Sequence, residues 1–288
     1  MDSFGHTDLA LEAEESRRAK ENSTLPGVSI RSDRPGGCLR EWVDITDRES
    51  AAALGKAPGR YVTLEPRPML RRLPSALGES AGVLAESLRA LLPPLAPEDA
   101  VLVVGLGNEV ITPDALGPLT IRNIFVTRHL RRHLPKEFGR FRPVAALETG
   151  VLSTTGMETA ETISAVCEKL RPGLVIAVDA LACSQVSRLC RTVQLTDTGI
   201  SPGAGVGNRR VTLDQASLHI PVLAVGVPTV IAAGSLAGGA AGAELKDLVV
   251  TPRDIDSQVR TFAKLLGYGI CLALQPDMTI EDLEMLMA

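Results

Sequence analysis

The chain has 288 residues, of which 45% are apolar and 22% charged, and carries a formal net charge of −4. That composition belongs to a globular chain long enough to bury a full core and excludes a mainly disordered one. A slightly acidic balance and 3% aromatic residues also argue against a nucleic-acid surface, which needs basic faces and stacking platforms.

No apolar run is long enough to span a bilayer. The longest, Ile220 to Ala243, is broken by Pro221, Pro228 and several glycines. The first six residues carry neither the basic nor the apolar region of a secretory signal, so a cytoplasmic protein with no membrane partner is expected. Five cysteines (Cys38, Cys167, Cys183, Cys190, Cys271) are odd in number and widely spaced. This predicts buried free thiols in a reducing compartment rather than disulfides or structural zinc.

Residues 1 to about 40 are polar and lack apolar periodicity, and read as a loosely packed arm. Short strands are expected at Leu39 to Ile45 and Arg60 to Glu65. Residues 75 to 92 place Leu77, Val83, Leu84, Leu88, Leu91 and Leu92 at helical spacing, and Pro93-Pro94 ends that helix. From Val101 the texture changes to continuous apolar runs, as in strands buried on both faces. They are Val101–Val104, Leu174–Val178 and Val222–Val225, with weaker examples at 144–147 and 192–195. Helices are expected between them at 118–134, at 156–170 with Thr155 and Glu158 as a capping box, and at about 252–273, with a short acidic helix at 279–287. The alternation predicts an α/β three-layer sandwich with a mostly parallel, doubly wound sheet. Reactive residues in such sheets lie beyond the carboxyl ends of the strands.

After the first apolar run stands Gly105-Leu106-Gly107-Asn108, a turn that exposes backbone amides but lacks the third glycine of a dinucleotide loop. Asp114 follows. It reads equally as a helix N-cap or as a reactive carboxylate. Asp179 follows Leu174–Val178, and a carboxylate at the end of a buried strand is costly unless paired or functional. The two together can enter one cleft. Paired carboxyls divide into one that holds a proton and one that accepts one, the requirement for activating water and protonating an amide leaving group. Asp197 is a third acidic candidate, with loop bracing as its other reading. The glycines of Gly203-Ala204-Gly205-Val206-Gly207-Asn208 offer amides to a peptide backbone or an anion. The GxSxG, HExxH and Walker A patterns do not occur. His129 and His133 have zinc-like spacing but no third ligand is signalled, and Cys183 and Cys190 have no evident histidine partner. No cofactor and no metal are expected.

With these residues assembled, the chain resembles the germination protease family. The resemblance rests on Arg60-Tyr61-Val62-Thr63-Leu64-Glu65, Val103-Val104-Gly105-Leu106-Gly107-Asn108, Thr112-Pro113-Asp114-Ala115-Leu116-Gly117-Pro118, Ile176-Ala177-Val178-Asp179-Ala180-Leu181-Ala182 and Val225-Gly226-Val227-Pro228-Thr229-Val230. It implies an endopeptidase of atypical aspartic type that degrades small acid-soluble spore proteins during germination, acts in the spore core, assembles as a homotetramer and is made as a zymogen. It carries the two essential aspartates onto Asp114 and Asp179; Asp197, His129 and Thr155 stand beside them as candidate supporting residues on the sequence reading alone. It also implies a fold like that of hydrogenase-maturation endopeptidases, and cleavage after an acidic residue and before an apolar residue followed by Ala. Thr7-Asp8-Leu9-Ala10 has that form. Autoprocessing between Asp8 and Leu9 is therefore expected, dividing the chain into a propeptide (1–8) and one catalytic domain (9–288) with an arm at 9–98, an α/β core at 99–274 and a tail at 275–288. The family's long polar insertion before Thr251-Pro252 is replaced here by about twenty Gly- and Ala-rich residues, which bears on oligomer geometry and zymogen control. Two other readings fit the same pattern: a hydrogenase-maturation-type metal-dependent endopeptidase, with His219 as the late histidine, and a non-catalytic assembly protein.

Overall fold

A computed structural model describes residues 7–21, 25–73, 75–203, 211–237, 245 and 248–287. Its strands are β1 (Val28–Asp33), β2 (Leu39–Ile45), β3 (Gly59–Glu65), β4 (Val101–Gly105), β5 (Val144–Glu148), β6 (Leu174–Cys183), β7 (Val193–Thr196), β8 (Val222–Ala232) and β9 (Val249–Val250). Among the described residues they form one sheet in the order β1-β2-β3-β7-β8-β6-β4-β5, with β9 paired to β8.

The sheet is mixed, not mostly parallel. Only β5, β4, β6 and β8 run parallel to one another, while β1, β2, β3, β7 and β9 pair antiparallel. The apolar runs buried on both faces are the parallel strands. The amphipathic ones, such as Leu39–Ile45, extend the sheet antiparallel from β8 outward. Alternation sorts the parallel strands onto two cores. Val101, Val103, Leu174 and Ile176 face the helices Ala76–Leu91 and Ile255–Leu274, where Leu84, Leu88, Phe262 and Leu266 are fully buried. Leu102, Val104, Val175 and Ala177 face Ile163 and Cys167 of the helix Thr159–Leu170. Helices therefore cover both faces, as an α/β layer architecture requires.

Three expectations about boundaries change. The helix expected at 118–134 splits into Leu116–Ile121 and Arg128–His133. The second helix starts from Thr127, whose N–H donates to the Val144 carbonyl (3.1 Å) and whose Oγ1 accepts from the Val144 N–H (2.9 Å), tying it to the start of β5 instead of to the preceding helix. The capping box sits three residues later than expected: Glu158 caps Thr159–Leu170, and Glu161 accepts from the Glu158 N–H at 3.2 Å. The arm expected before residue 40 instead contains a helix, Ala10–Glu21, and strand β1.

All five cysteines are free and buried. Burial pushes the thiols of Cys183, Cys190 and Cys271 up to about 12, far from the range of a reactive thiolate. Among the described residues no helix is long and apolar enough to cross a membrane.

Candidate active site

The loop after β4 places Asp114 by close backbone packing. Leu106 N–H donates to the Val178 carbonyl at 2.9 Å, which holds the loop against β6. Gly107 has φ +105, and a Cβ there would sit 2.2 Å from the Asp114 carbonyl oxygen, so only glycine fits. The Asn108 N–H donates to Asp114 Oδ2 at 2.7 Å, and the Asp114 N–H donates to the Ile111 carbonyl at 2.7 Å. Asp114 thus closes a 3₁₀ turn, Thr112–Asp114, just before the helix Leu116–Ile121. Its carboxylate accepts from a residue earlier in the chain, which is not the geometry of an N-cap.

Asp179 lies inside β6 rather than after it, because the strand runs on to Cys183. Its position is still a strand edge. β4 stops at Gly105, opposite Val178, so Asp179 is the first residue of β6 beyond that neighbour, while its other side still pairs with Gly226 of β8. The side chain is 5% exposed, and Oδ1 accepts from the Ala180 N–H at 2.9 Å.

Asp114 and Asp179 line one cavity of about 300 Å³. Its wall also includes Gly107, Pro202, Gly203, Thr229 and Asp8. Asp8 also lines an adjoining cavity of about 230 Å³ with Lys56, Tyr61 and Thr198. The Asp8 N–H donates to the Ala182 carbonyl at 3.0 Å, and the Ala182 N–H donates to Asp8 Oδ2 at 2.8 Å, so the chain at Asp8 is clasped to the end of β6. The Lys56 ammonium donates to the Thr7 carbonyl at 2.9 Å. Desolvation holds the Lys56 pKa below the usual lysine range, against the opposing pull of the nearby Asp8 and Glu12 carboxylates. Leu9 is fully buried against Cys183 and Ile231, with Leu189 beside them.

The other sequence candidates fall elsewhere. Asp197 accepts from the Arg60 N–H (2.8 Å) and from Arg60 Nε (2.7 Å), bracing β3 against the end of β7 outside the lining of the 300 Å³ cavity. His129 is exposed on the helix Arg128–His133. Thr155 is exposed, and its Oγ1 donates to the Val151 carbonyl at 3.1 Å and accepts from the Met157 N–H at 3.2 Å. Gly105 packs beneath Gly117. Gly205, Gly207 and Asn208 lie outside the described residues. His219 caps the short helix Gln215–Leu218 in the left-handed region. No group of three or more His, Cys, Asp or Glu side chains among the described residues could hold a metal ion.

Sequence reasoning missed Thr229, which lies beyond the expected apolar run Val222–Val225. β8 in fact runs through it, and its Oγ1 is buried on the cavity wall without a hydrogen-bond partner among the described residues. An unpaired buried hydroxyl costs stability and is a donor in reserve for a ligand. Thr229→Val is therefore expected to leave thermal stability unchanged or slightly raised while lowering kcat for peptide cleavage about tenfold or more, checked by a melting curve and steady-state kinetics on the same sample.

The peptidase family described as germination protease matches residues 5–246. A germination protease of Caldanaerobacter subterraneus is 40% identical over 319 aligned residues, covering 98% of this chain and 97% of that protein. One from Clostridium tetani is 37% identical, covering 96% and 97%. One from a Geobacillus species is 42% identical over 240 residues, covering 80% of this chain and 64% of that protein.

Proposed function

The chain belongs to the germination protease family, and from that premise we propose that it is a spore-germination endopeptidase in which Asp114 and Asp179 activate water against a peptide bond that follows an acidic residue. The observation that carries this reading is that two carboxylates 65 positions apart (179 − 114) line one cavity, and that Asp8 stands in the same wall. One carboxylate takes a proton from water as the oxygen attacks the carbonyl carbon. The other carboxyl gives its proton to the departing nitrogen as the C–N bond breaks, leaving a new carboxylate and a new amine. Thr229 is a donor for the oxygen that becomes negative in between.

The substrates are small acid-soluble spore proteins, and the same cleft processes the chain's own N-terminus. Each residue around Asp8–Leu9 has a fitting neighbour. Asp8 lies near Lys56 and accepts from the Ala182 amide, Lys56 holds the Thr7 carbonyl, and Leu9 fills an apolar pocket. An acidic residue before the cut and an apolar one after it are the chemistry these surroundings accept. Cleavage releases residues 1–8, makes the chain a zymogen until then, and leaves Leu9 as the new N-terminus. The active form is a homotetramer, and the work is done in the spore core.

The test is to incubate the purified full-length chain, sequence its new N-terminus, and assay a peptide containing Asp-Leu-Ala with and without chelator. The expected result is a chain starting at Leu9 and chelator-insensitive cleavage between Asp and Leu. Cleavage at other sites only, or cleavage abolished by chelator and restored by metal, contradicts the reading.

A further inference from the structure

Residues 122–142 hold seven Lys and Arg against one acid, Glu137, a net +6 in a chain whose total is −4. The rest of the chain therefore carries −10 (−4 − 6). Whole-chain composition averages over this asymmetry, but a partner meets the local field.

Three of the seven cations are used within the fold. Arg122 pairs with Glu109 (2.5 Å) and Arg131 with Glu98 (2.8 Å), while Arg142 donates to the carbonyls of Ala96 (2.7 Å) and Asp99 (3.2 Å). The other four, Arg128, Arg132, Lys136 and Arg140, are exposed and form no ion pair among the described residues. They recur every fourth residue through the helices Arg128–His133 and Pro135–Phe138 and just beyond. Each such step advances about 6 Å along a helix axis. Arg140 stands over the Phe141 ring at 4.9 Å, which orients it without neutralising it. It also attracts the Asp282 carboxylate, which the Thr279 N–H (2.9 Å) and Oγ1 (3.0 Å) already hold.

The row lies far from the chemistry. Thr127 is tied to the start of β5, and Arg131 and Arg142 to the segment leading into β4, so the row sits at the N-terminal ends of the parallel strands. Asp114 and Asp179 stand beyond the other end of β4.

An exposed row suits a repeating anion, whereas a single small ion needs donors that converge on one point. Three of the four cations are arginines, whose planar fork matches phosphate. Phe125, Phe138 and Phe141 pack on one another, with centroids 5.7, 5.8 and 6.5 Å apart, and offer no platform for stacked bases. A duplex backbone therefore fits and a single strand does not. Leu134 is the one large apolar side chain exposed in the stretch, too little for a helix lying in a membrane surface. We propose that Arg128, Arg132, Lys136 and Arg140 form a surface that binds the phosphate backbone of duplex nucleic acid without reading its sequence, while the catalytic cavity at the other end stays open to peptide substrates.

Fluorescence anisotropy of the full chain with a labelled mixed-sequence DNA duplex, at salt from about 50 to 200 mM, tests this. Four phosphate contacts predict a slope of log K against log salt near −3.6, a loss of about 150-fold over that range. Arg128→Gln or Arg132→Gln alone should reduce the slope by about 0.9. The variant with all four changed to Gln should bind about a hundredfold more weakly at 50 mM, yet melt and cut an Asp-Leu-Ala peptide like the parent. Should it melt early, the slopes of the two single variants decide. Arg253→Gln with Arg260→Gln, two exposed arginines beyond β9, is the control and should bind like the parent. No duplex binding at the lowest salt, undiminished binding by the fourfold variant, or equal loss in the control overturns the proposal. So does tighter binding of a single strand of the same length. Polyglutamate or phosphatidylglycerol vesicles that compete equally, charge for charge, point to an acidic protein or a membrane instead and also overturn it.

Discussion

Asp114→Asn and Asp179→Asn are each expected to lower kcat/KM for an Asp-Leu-Ala peptide by about 10³-fold or more, the range lost with a positioned proton-transfer group. The double variant should be scarcely worse than either single one, because the proposed mechanism needs both carboxyls in the same step. Both variants should fold. Asparagine keeps the size of the side chain, and at 114 its Oδ1 can still accept from the Asn108 N–H that Asp114 uses at 2.7 Å. Both should also remain full length, with no chain beginning at Leu9. Asp197→Asn is the control. It weakens a brace between Arg60 and the end of β7, so it should cost some stability and leave the cleavage rate close to that of the unaltered protein. Circular dichroism, intact mass and peptide kinetics on the four proteins check this. An active Asp179→Asn protein contradicts the account.

The second large effect is on the frame that holds the pair. A Cβ at Gly117 would lie 2.2 Å from the Leu106 carbonyl oxygen, 2.5 Å from the Leu106 nitrogen and 2.7 Å from the Val178 carbonyl oxygen. All three are backbone atoms that no rotamer change can move. Alanine is favoured over glycine inside a helix by about 1 kcal/mol, and Gly117 is in one. Here the clash outweighs that preference. Gly117→Ala is expected to destabilise by about 3 kcal/mol or more, a fall in Tm of roughly 6–12 °C for a chain of this size. It should also reduce activity, because relief comes only by moving the Asp114 loop away from β6. Gly82→Ala is the matched contrast. It lies exposed in the helix Ala76–Leu91 with nothing within 4 Å of an added Cβ, so it should stabilise by about 0.5–1 kcal/mol. Thermal melts of the two variants check the pair, and a Gly117→Ala protein that melts with the parent shows that the loop does not depend on this contact.

The parallel strands and the two aspartates were legible in the sequence for the same reason. A strand buried on both faces has to be continuously apolar, so Val101–Val104 and Leu174–Val178 stand out, and a carboxylate at the end of such a run is conspicuous. The strand's true end was not legible. Asp179 belongs to β6 because β8 continues alongside it, a partnership 47 positions away (226 − 179) that local pattern does not show. The mixed sheet was hidden in the same way, since each short strand reads alike until its partner's direction is known.

The helix Ala10–Glu21 escaped notice because much of its buried face is charged. Glu12, Glu14 and Arg17 are buried there beside Leu11, so no apolar stripe marks it. Its partners Ser184, Gln185 and Arg188 lie more than 170 positions away. Thr229 was invisible for a different reason: an unpaired hydroxyl is defined by what surrounds it, and residue type carries no trace of that.

The central claim is that Asp114 and Asp179 flank one peptide bond, and a crystal structure of the uncleaved Asp179→Asn chain tests it most directly. The account predicts the Asp8 carbonyl lying between the Asp114 carboxyl and the residue-179 amide, each within hydrogen-bond reach of it directly or through a single water, about 2.6–3.2 Å per contact. An Asp8–Leu9 bond seated beyond the reach of both side chains contradicts it.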